Sequence, residues 1–138
     1  MKIGEKIIVA LDLENSDEAM ELVQKLKGHA KFFKIGLGLL GRGGLKLAKE
    51  LKQKNNHIFL DFKLFDIHNT VEKAVKNISS LGVDFITVHG DPQVVRAAVM
   101  GRKTNKTKIL AVSFLTSLDR KDLDQNLIKD GELSSLVE

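Results

Sequence analysis

HIFLDFKLFDIHNT, residues 57–70, is the stretch on which the fold turns. It begins as an apolar run, turns charged at Asp61, Lys63 and Asp66, and breaks into a polar turn at His68-Asn69-Thr70. An apolar run without clean polar alternation is what a strand covered on both faces looks like. Residues i and i+2 of a strand point to the same side, so Asp61 and Lys63 leave its C-terminal end on one face. Charges gathered where a buried strand finishes point to a fold that does its chemistry at strand ends.

Working outward, four more runs of the same kind appear. The five occupy residues 7–11, 32–35, 58–62, 85–88 and 109–114, with starts 25, 26, 27 and 24 residues apart. Amphipathic helical patterns fill the gaps: Ala19, Leu22, Val23 and Leu26, opened by Ser16 with acids behind it; Leu45, Leu47, Ala48 and Leu51; Val71, Ala74, Val75 and Ile78; Val94, Val95, Ala98 and Val99. Asn69, with Glu72 three residues on, reads as the N-cap of the third helix. Gly28 and Gly82 punctuate helix exits. A steady βα period near 25 residues means either a doubly wound sheet or a (β/α)8 barrel. No G-x-G-x-x-G and no G-x-x-x-x-G-K-[ST] occurs, and Gly41-Arg42-Gly43-Gly44 lacks those spacings and reads as a flexible βα loop. The expected fold class is therefore α/β, the N-terminal part of a (β/α)8 TIM barrel. Residues 1–138 form one incomplete domain of five βα units, where eight would need about 200 residues. Such an arc leaves two open edges and an uncovered inner face.

Composition excludes other classes. With 43% hydrophobic residues in 138, the chain buries one modest core. The absence of cysteine removes disulfides and thiolate chemistry and suits a reducing cytoplasm. The first strand follows almost at once on Met1 and no apolar run approaches the roughly 18–20 residues a bilayer needs, so neither a signal peptide nor a membrane partner is expected. The net charge of +4 comes from lysines spread along helical segments beside glutamates, apart from residues 102–108, which read as a solvated loop. Without Trp, Tyr or aromatic-basic interleaving there is no stacking platform, and no nucleic-acid partner is expected.

The other strands end like the third: the first at Asp12, the second just past Lys34, the fourth at His89. Each charge alone reads equally well as a site residue or as a structural group, a salt bridge sealing a barrel top or a helix cap. Several converging in one low-dielectric cavity cost stability unless they have a task. On these residues, Asp61-Phe62-Lys63-Leu64-Phe65-Asp66-Ile67-His68-Asn69-Thr70 resembles the D-x-K-x-x-D-I-x-N-T signature of the orotidine 5′-phosphate decarboxylases. Supporting segments match in order: Val9-Ala10-Leu11-Asp12, Phe33-Lys34-Ile35-Gly36, Thr87-Val88-His89 and Leu115-Thr116-Ser117-Leu118-Asp119.

The resemblance implies removal of CO₂ from orotidine 5′-phosphate to give UMP, in pyrimidine synthesis, with no metal or organic cofactor. It implies catalytic roles for Lys63, Asp61 and Asp66, in an alternating cation–anion network with Lys34. Lys63 would stabilise the charge at C6 and protonate it, and Asp61 would lie near the departing carboxylate. Asp12 and Lys34 would bind ribose hydroxyls, and Thr116 or Ser117 would lie near the pyrimidine. The implied partner is a second copy of the chain, a homodimer in which Asp66 and Thr70 reach the neighbouring site. His68 stands where many relatives carry proline and reads as a tolerated turn residue. His89 reads as a structural group orienting the rim by a hydrogen bond, His29 and His57 as surface positions, and none has metal-ligand spacing. The family also grips phosphate through a glutamine and an arginine in later segments, so the 138 residues alone are expected to be a poor catalyst. Two rivals stay open: a non-catalytic remnant or module that binds nucleotide or dimerises, and a magnesium-dependent sugar-phosphate decarboxylase of the same superfamily. The latter carries a metal-binding glutamate where this chain has Lys34.

Overall fold

The computed structural model describes residues 6–104 and 106–125. Its strands are β1 (Ile8–Ala10), β2 (Phe32–Gly36), β3 (His57–Leu64), β4 (Phe85–His89) and β5 (Lys108–Val112). They alternate with α1 (Ser16–Lys25), α2 (Gly44–Gln53), α3 (His68–Ser79), α4 (Pro92–Gly101) and α5 (Arg120–Gln125). The strands pair in parallel in the order β1-β2-β3-β4-β5. A doubly wound sheet reverses its strand order at a switch point, whereas here each unit adds to the same edge. Right-handed crossovers then put every helix on one face, which is the layout of a barrel arc. The expected α/β barrel class holds.

Alternation within the strands separates the two faces. Phe33 and Ile35 of β2, Ile58 and Leu60 of β3, and Ile86 and Val88 of β4 are wholly buried, packed with Leu47, Ala48 and Leu51 of α2, Val71 and Val75 of α3, and Ala97 and Ala98 of α4. Burying a side chain of this size stabilises a fold by about 1.5–3 kcal/mol, so this layer is the core. The intervening residues form the concave face. There Phe32 stacks on Phe85 at 5.5 Å and Phe59 meets Phe85 edge-on at 5.9 Å, with the Lys108 ammonium 5.9 Å from the Phe85 ring. Strand-edge residues Ile7, Ile8 and Leu110 are substantially exposed.

Helix α1 opens at Ser16 with Asp17 and Glu18 in its first turn, as expected, and Asn15 caps it: its side chain accepts from the Asp17 and Glu18 backbone amides, and its side-chain amide donates to Glu18 at 2.9 Å. Local details differ from the sequence-based expectations in three places. Asn69 lies inside α3, whose N-cap is Ile67 with no side-chain cap bond. The helix begins at His68, one residue before Asn69. The glycine-rich segment is ordered rather than a loose loop. A 3-10 helix (Leu37–Arg42) runs into α2 through Gly43, whose φ of +92° only glycine adopts without strain. The fifth strand ends at Val112, earlier than the run to residue 114 suggested. Gly28 and Gly82 do stand just beyond α1 and α3, at φ +88° and +76°.

At the N-terminal end of the sheet, His57 is only half exposed and is no free surface residue. Its Nδ1 lies 2.8 Å from Asp84, which also accepts from Lys52 at 2.9 Å and from the Ile58 amide at 2.8 Å. Burial raises the Asp84 carboxyl, but these hydrogen bonds outweigh it and leave it below the ordinary aspartate value. The cluster ties α2, β3 and β4 together on the face where barrels keep stability rather than catalysis.

Candidate active site

At the opposite end, β3 departs from regular pairing. Leu60 is opposite Ile86 but Leu64 is opposite Val88, so four steps along β3 match two along β4. Such a bulge re-aims side chains at a strand end. Lys63 sits within it at φ +47°, a left-handed conformation that costs a lysine roughly 1–2 kcal/mol. Its amide, out of ladder register, donates instead to the Thr87 hydroxyl at 2.9 Å.

Asp61 is the centre of the cluster. Its Oδ1 accepts from Lys63 Nζ at 2.9 Å and from Thr87 Oγ1 at 2.9 Å, and its Oδ2 accepts from Lys34 Nζ at 3.2 Å. Lys34 also lies 3.9 Å from Asp12, whose carboxylate has room because Gly36 carries no Cβ. Burial raises the Asp61 carboxyl, yet the hydrogen bonds from Lys63, Thr87 and Lys34 outweigh it and hold it below the ordinary value. The arrangement is a fixed anion between two ammonium groups. One of these, Lys63, is the more exposed of the two, with 41% of its side chain open to solvent against 24% for Lys34. Charges held in advance by a rigid shell can stabilise charge that develops in a reaction without reorganising.

Lys34, Asp61 and Lys63 thus come together, with Asp12 at the margin. Asp66 does not join them: it is exposed, accepts from the Ile67 amide at 2.7 Å, and makes no salt bridge among the described residues. Within one chain the expected alternation therefore stops at Lys63. Thr70 is exposed in the first turn of α3. Thr116 and Ser117 are exposed in the turn after β5, closed by the Leu118 amide on the Leu115 carbonyl at 3.0 Å. Among the described residues no hydrogen bond from His89 orients the rim. Its buried Nδ1 has no partner among the described residues, and its ring packs on Phe65 at 4.7 Å. Sequence reasoning assigned no role to Thr87, although it stands two residues before His89 and so on the same face. That parity was the available signal. Among the described residues no group of three His, Cys, Asp or Glu side chains could hold a metal ion, and no helix is long and apolar enough to cross a membrane.

Known proteins similar to this chain can be named. The profile of the family described as "Orotidine 5'-phosphate decarboxylase / HUMPS family" matches residues 5–138. A relative from Jannaschia sp. (strain CCS1), named orotidine 5′-phosphate decarboxylase, is 56% identical over 134 residues, covering 96% of this chain and 58% of its own length. A second with that name, from Ruegeria pomeroyi, is 54% identical over 138 residues, covering 99% of this chain and 58% of its own. The crystal structure of orotidine 5′-phosphate decarboxylase from Lactobacillus acidophilus superposes with a TM-score of 0.84 at 34% identity, covering 95% of this chain and 62% of that one. The chain thus spans under two thirds of the length of these relatives. With the signature, the fold and the profile in agreement over nearly all of its residues, the chain belongs to the orotidine 5′-phosphate decarboxylase / HUMPS family.

Proposed function

We propose that this chain carries the charged half of a site that decarboxylates orotidine 5′-phosphate to UMP. The observation that carries the reading is the Lys34–Asp61–Lys63 chain of ion pairs at the C-terminal ends of β2 and β3. In the reaction the bond from C6 to the carboxylate breaks and CO₂ leaves. The electron pair stays in the ring plane, where no adjacent carbonyl delocalises it. A fixed ammonium next to that carbon opposes the growing negative charge, and Lys63 then delivers a proton from Nζ to C6. Its lost proton is regained from solvent. Asp61 lies beside the departing carboxylate and holds Lys63 in place. Asp12 and Lys34 take the ribose hydroxyls, and Thr116 or Ser117 the pyrimidine edge. Asp66 and Thr70, both exposed, reach the site of a second copy in a homodimer. No cofactor is required by this chemistry, and a cytoplasmic setting suits pyrimidine synthesis.

The magnesium-dependent alternative is disfavoured by Lys34, whose ammonium stands 3.2 Å from Asp61 where a cation would otherwise bind. The test is calorimetric titration of the purified 138-residue chain with 6-hydroxy-UMP, alongside Lys63→Ala. Binding weakened at least tenfold by the substitution is the expected result. Equal binding by both proteins would remove Lys63 from the site, and UMP binding without turnover would leave a nucleotide-binding module.

A further inference from the structure

We propose that Thr87 is the positioning residue of this site: through one hydroxyl it sets both the carboxylate of Asp61 and the backbone of Lys63. The proposal deepens the decarboxylase reading and rests on it only for its turnover arm. Thr87 belongs to β4, is 4% exposed, and makes two hydrogen bonds of 2.9 Å in opposite senses. The hydroxyl accepts from the Lys63 amide and donates its single proton to Asp61 Oδ1, so its direction is fixed by its partners. Neither valine nor alanine can make either bond, whereas serine can make both.

The position of these bonds matters more than their number. The bulge takes the Lys63 amide out of the β3–β4 ladder, and an amide shielded from water is costly to leave unpaired. Thr87 fills the place of the missing ladder carbonyl and supports the left-handed conformation that turns the Lys63 side chain back to Asp61. The same hydroxyl fixes the rotation of the Asp61 carboxylate, leaving Oδ2 for Lys34. Among the described residues the charged groups of the cluster around Asp61 are Lys34 from β2, Asp12 beyond β1 and Lys63 from β3. Of these only the two lysines touch it. Thr87 is thus the neutral third partner, and it adds geometry without adding charge.

The experiment compares wild type, Thr87→Val and Thr87→Ser in the full chain. Carbon-detected NMR follows the Asp61 carboxyl through its titration, and hydrogen exchange follows the Lys63 amide. Thr87→Val is expected to raise the Asp61 midpoint and to speed exchange of the Lys63 amide at least tenfold, with Thr87→Ser restoring both. Where turnover of orotidine 5′-phosphate is measurable, Thr87→Val lowers kcat about 10–100-fold with KM changed less than about threefold, as misplacement of a reacting group by a fraction of an ångström does. A residue that only fills space would fail in the serine variant, which loses the methyl and keeps the hydroxyl. An unchanged Asp61 titration and Lys63 amide in Thr87→Val, or equal losses in both variants, would overturn the proposal. If Thr87→Val does not fold, Thr87→Ala against Thr87→Ser carries the same comparison. A wild-type chain with no turnover leaves the role of Thr87 to the two NMR readouts, which do not depend on the decarboxylase reading.

Discussion

Lys63 combines a charge with a backbone conformation that its side chain disfavours, and the two can be separated. Alanine and glycine both remove the ammonium, but only glycine adopts φ +47° without steric cost. Lys63→Gly is therefore expected to be more stable than Lys63→Ala by about 1 kcal/mol, read as a higher urea midpoint at equal slope. Equal midpoints would mean that the bulge relaxes once the side chain is gone. Both variants should also raise the Asp61 titration midpoint, because they delete a donor that lowers it. At this scale the sequence was legible where chemistry is signalled by charge. Asp61 and Lys63 were placed on one face from their spacing, and they meet at 2.9 Å. The partnership of Thr87 was not legible, because a threonine inside an apolar strand is an ordinary β-former. The left-handed turn at Lys63 depends on a bulge that no local pattern encodes. Asp66 illustrates a further limit: among the described residues it bonds only its own next amide, so its expected reach across a dimer depends on a surface that one chain does not hold.

Elements in this fold are held at two opposite ends by different means. On the N-terminal side the Asp84 carboxylate joins α2, β3 and β4 through Lys52, His57 and the Ile58 amide. Its depressed folded-state value means that stability from this cluster is present above the unfolded aspartate value of about 3.9 and is lost as pH falls through the folded one. Asp84→Asn should flatten the fall in stability between about pH 5 and pH 2; a variant with the same acid-side slope as wild type would assign that slope elsewhere. The α3–α4 contact is sensitive in another way. A Cβ on Gly101 would run into the Glu72 carbonyl, with its carbon at 3.0 Å. Gly101→Ala is accordingly expected to lose about 1–3 kcal/mol, visible in thermal unfolding, and an unchanged midpoint would mean the helices slide apart without cost. Strand and helix existence could be read from the apolar periods, since both register directly the faces that are buried. Helix starts were less legible. Asn69 has capping chemistry, but the course of the chain out of the β3 bulge put the start of α3 before it.

For the whole molecule, repetition carried the reading. Five units at a near-constant period specify a barrel arc because only sequential addition to one edge keeps the crossovers short and uniform. The same arc explains how the site is divided. Parallel strands put Asp12, Lys34, Asp61, Lys63 and the turn of Thr116 on one rim, while barrels commonly grip a phosphate with the loops after strands seven and eight. The described strands number five, so on the proposed reading a phosphate would be gripped by loops other than those that carry the charge network. Binding energy from a phosphate far from the reacting carbon can be used to lower the barrier there, so a site lacking that grip loses kcat as well as affinity. The 138 residues on their own are therefore expected to turn over orotidine 5′-phosphate at least about a hundredfold more slowly than a full-length relative, on the order of 3 kcal/mol of transition-state stabilisation. The deficit should persist at saturating substrate, which separates it from weak binding alone. Turnover within a few-fold of the relative would mean that the Lys34–Asp61–Lys63 chain suffices for the chemistry, and that the phosphate contributes through affinity only.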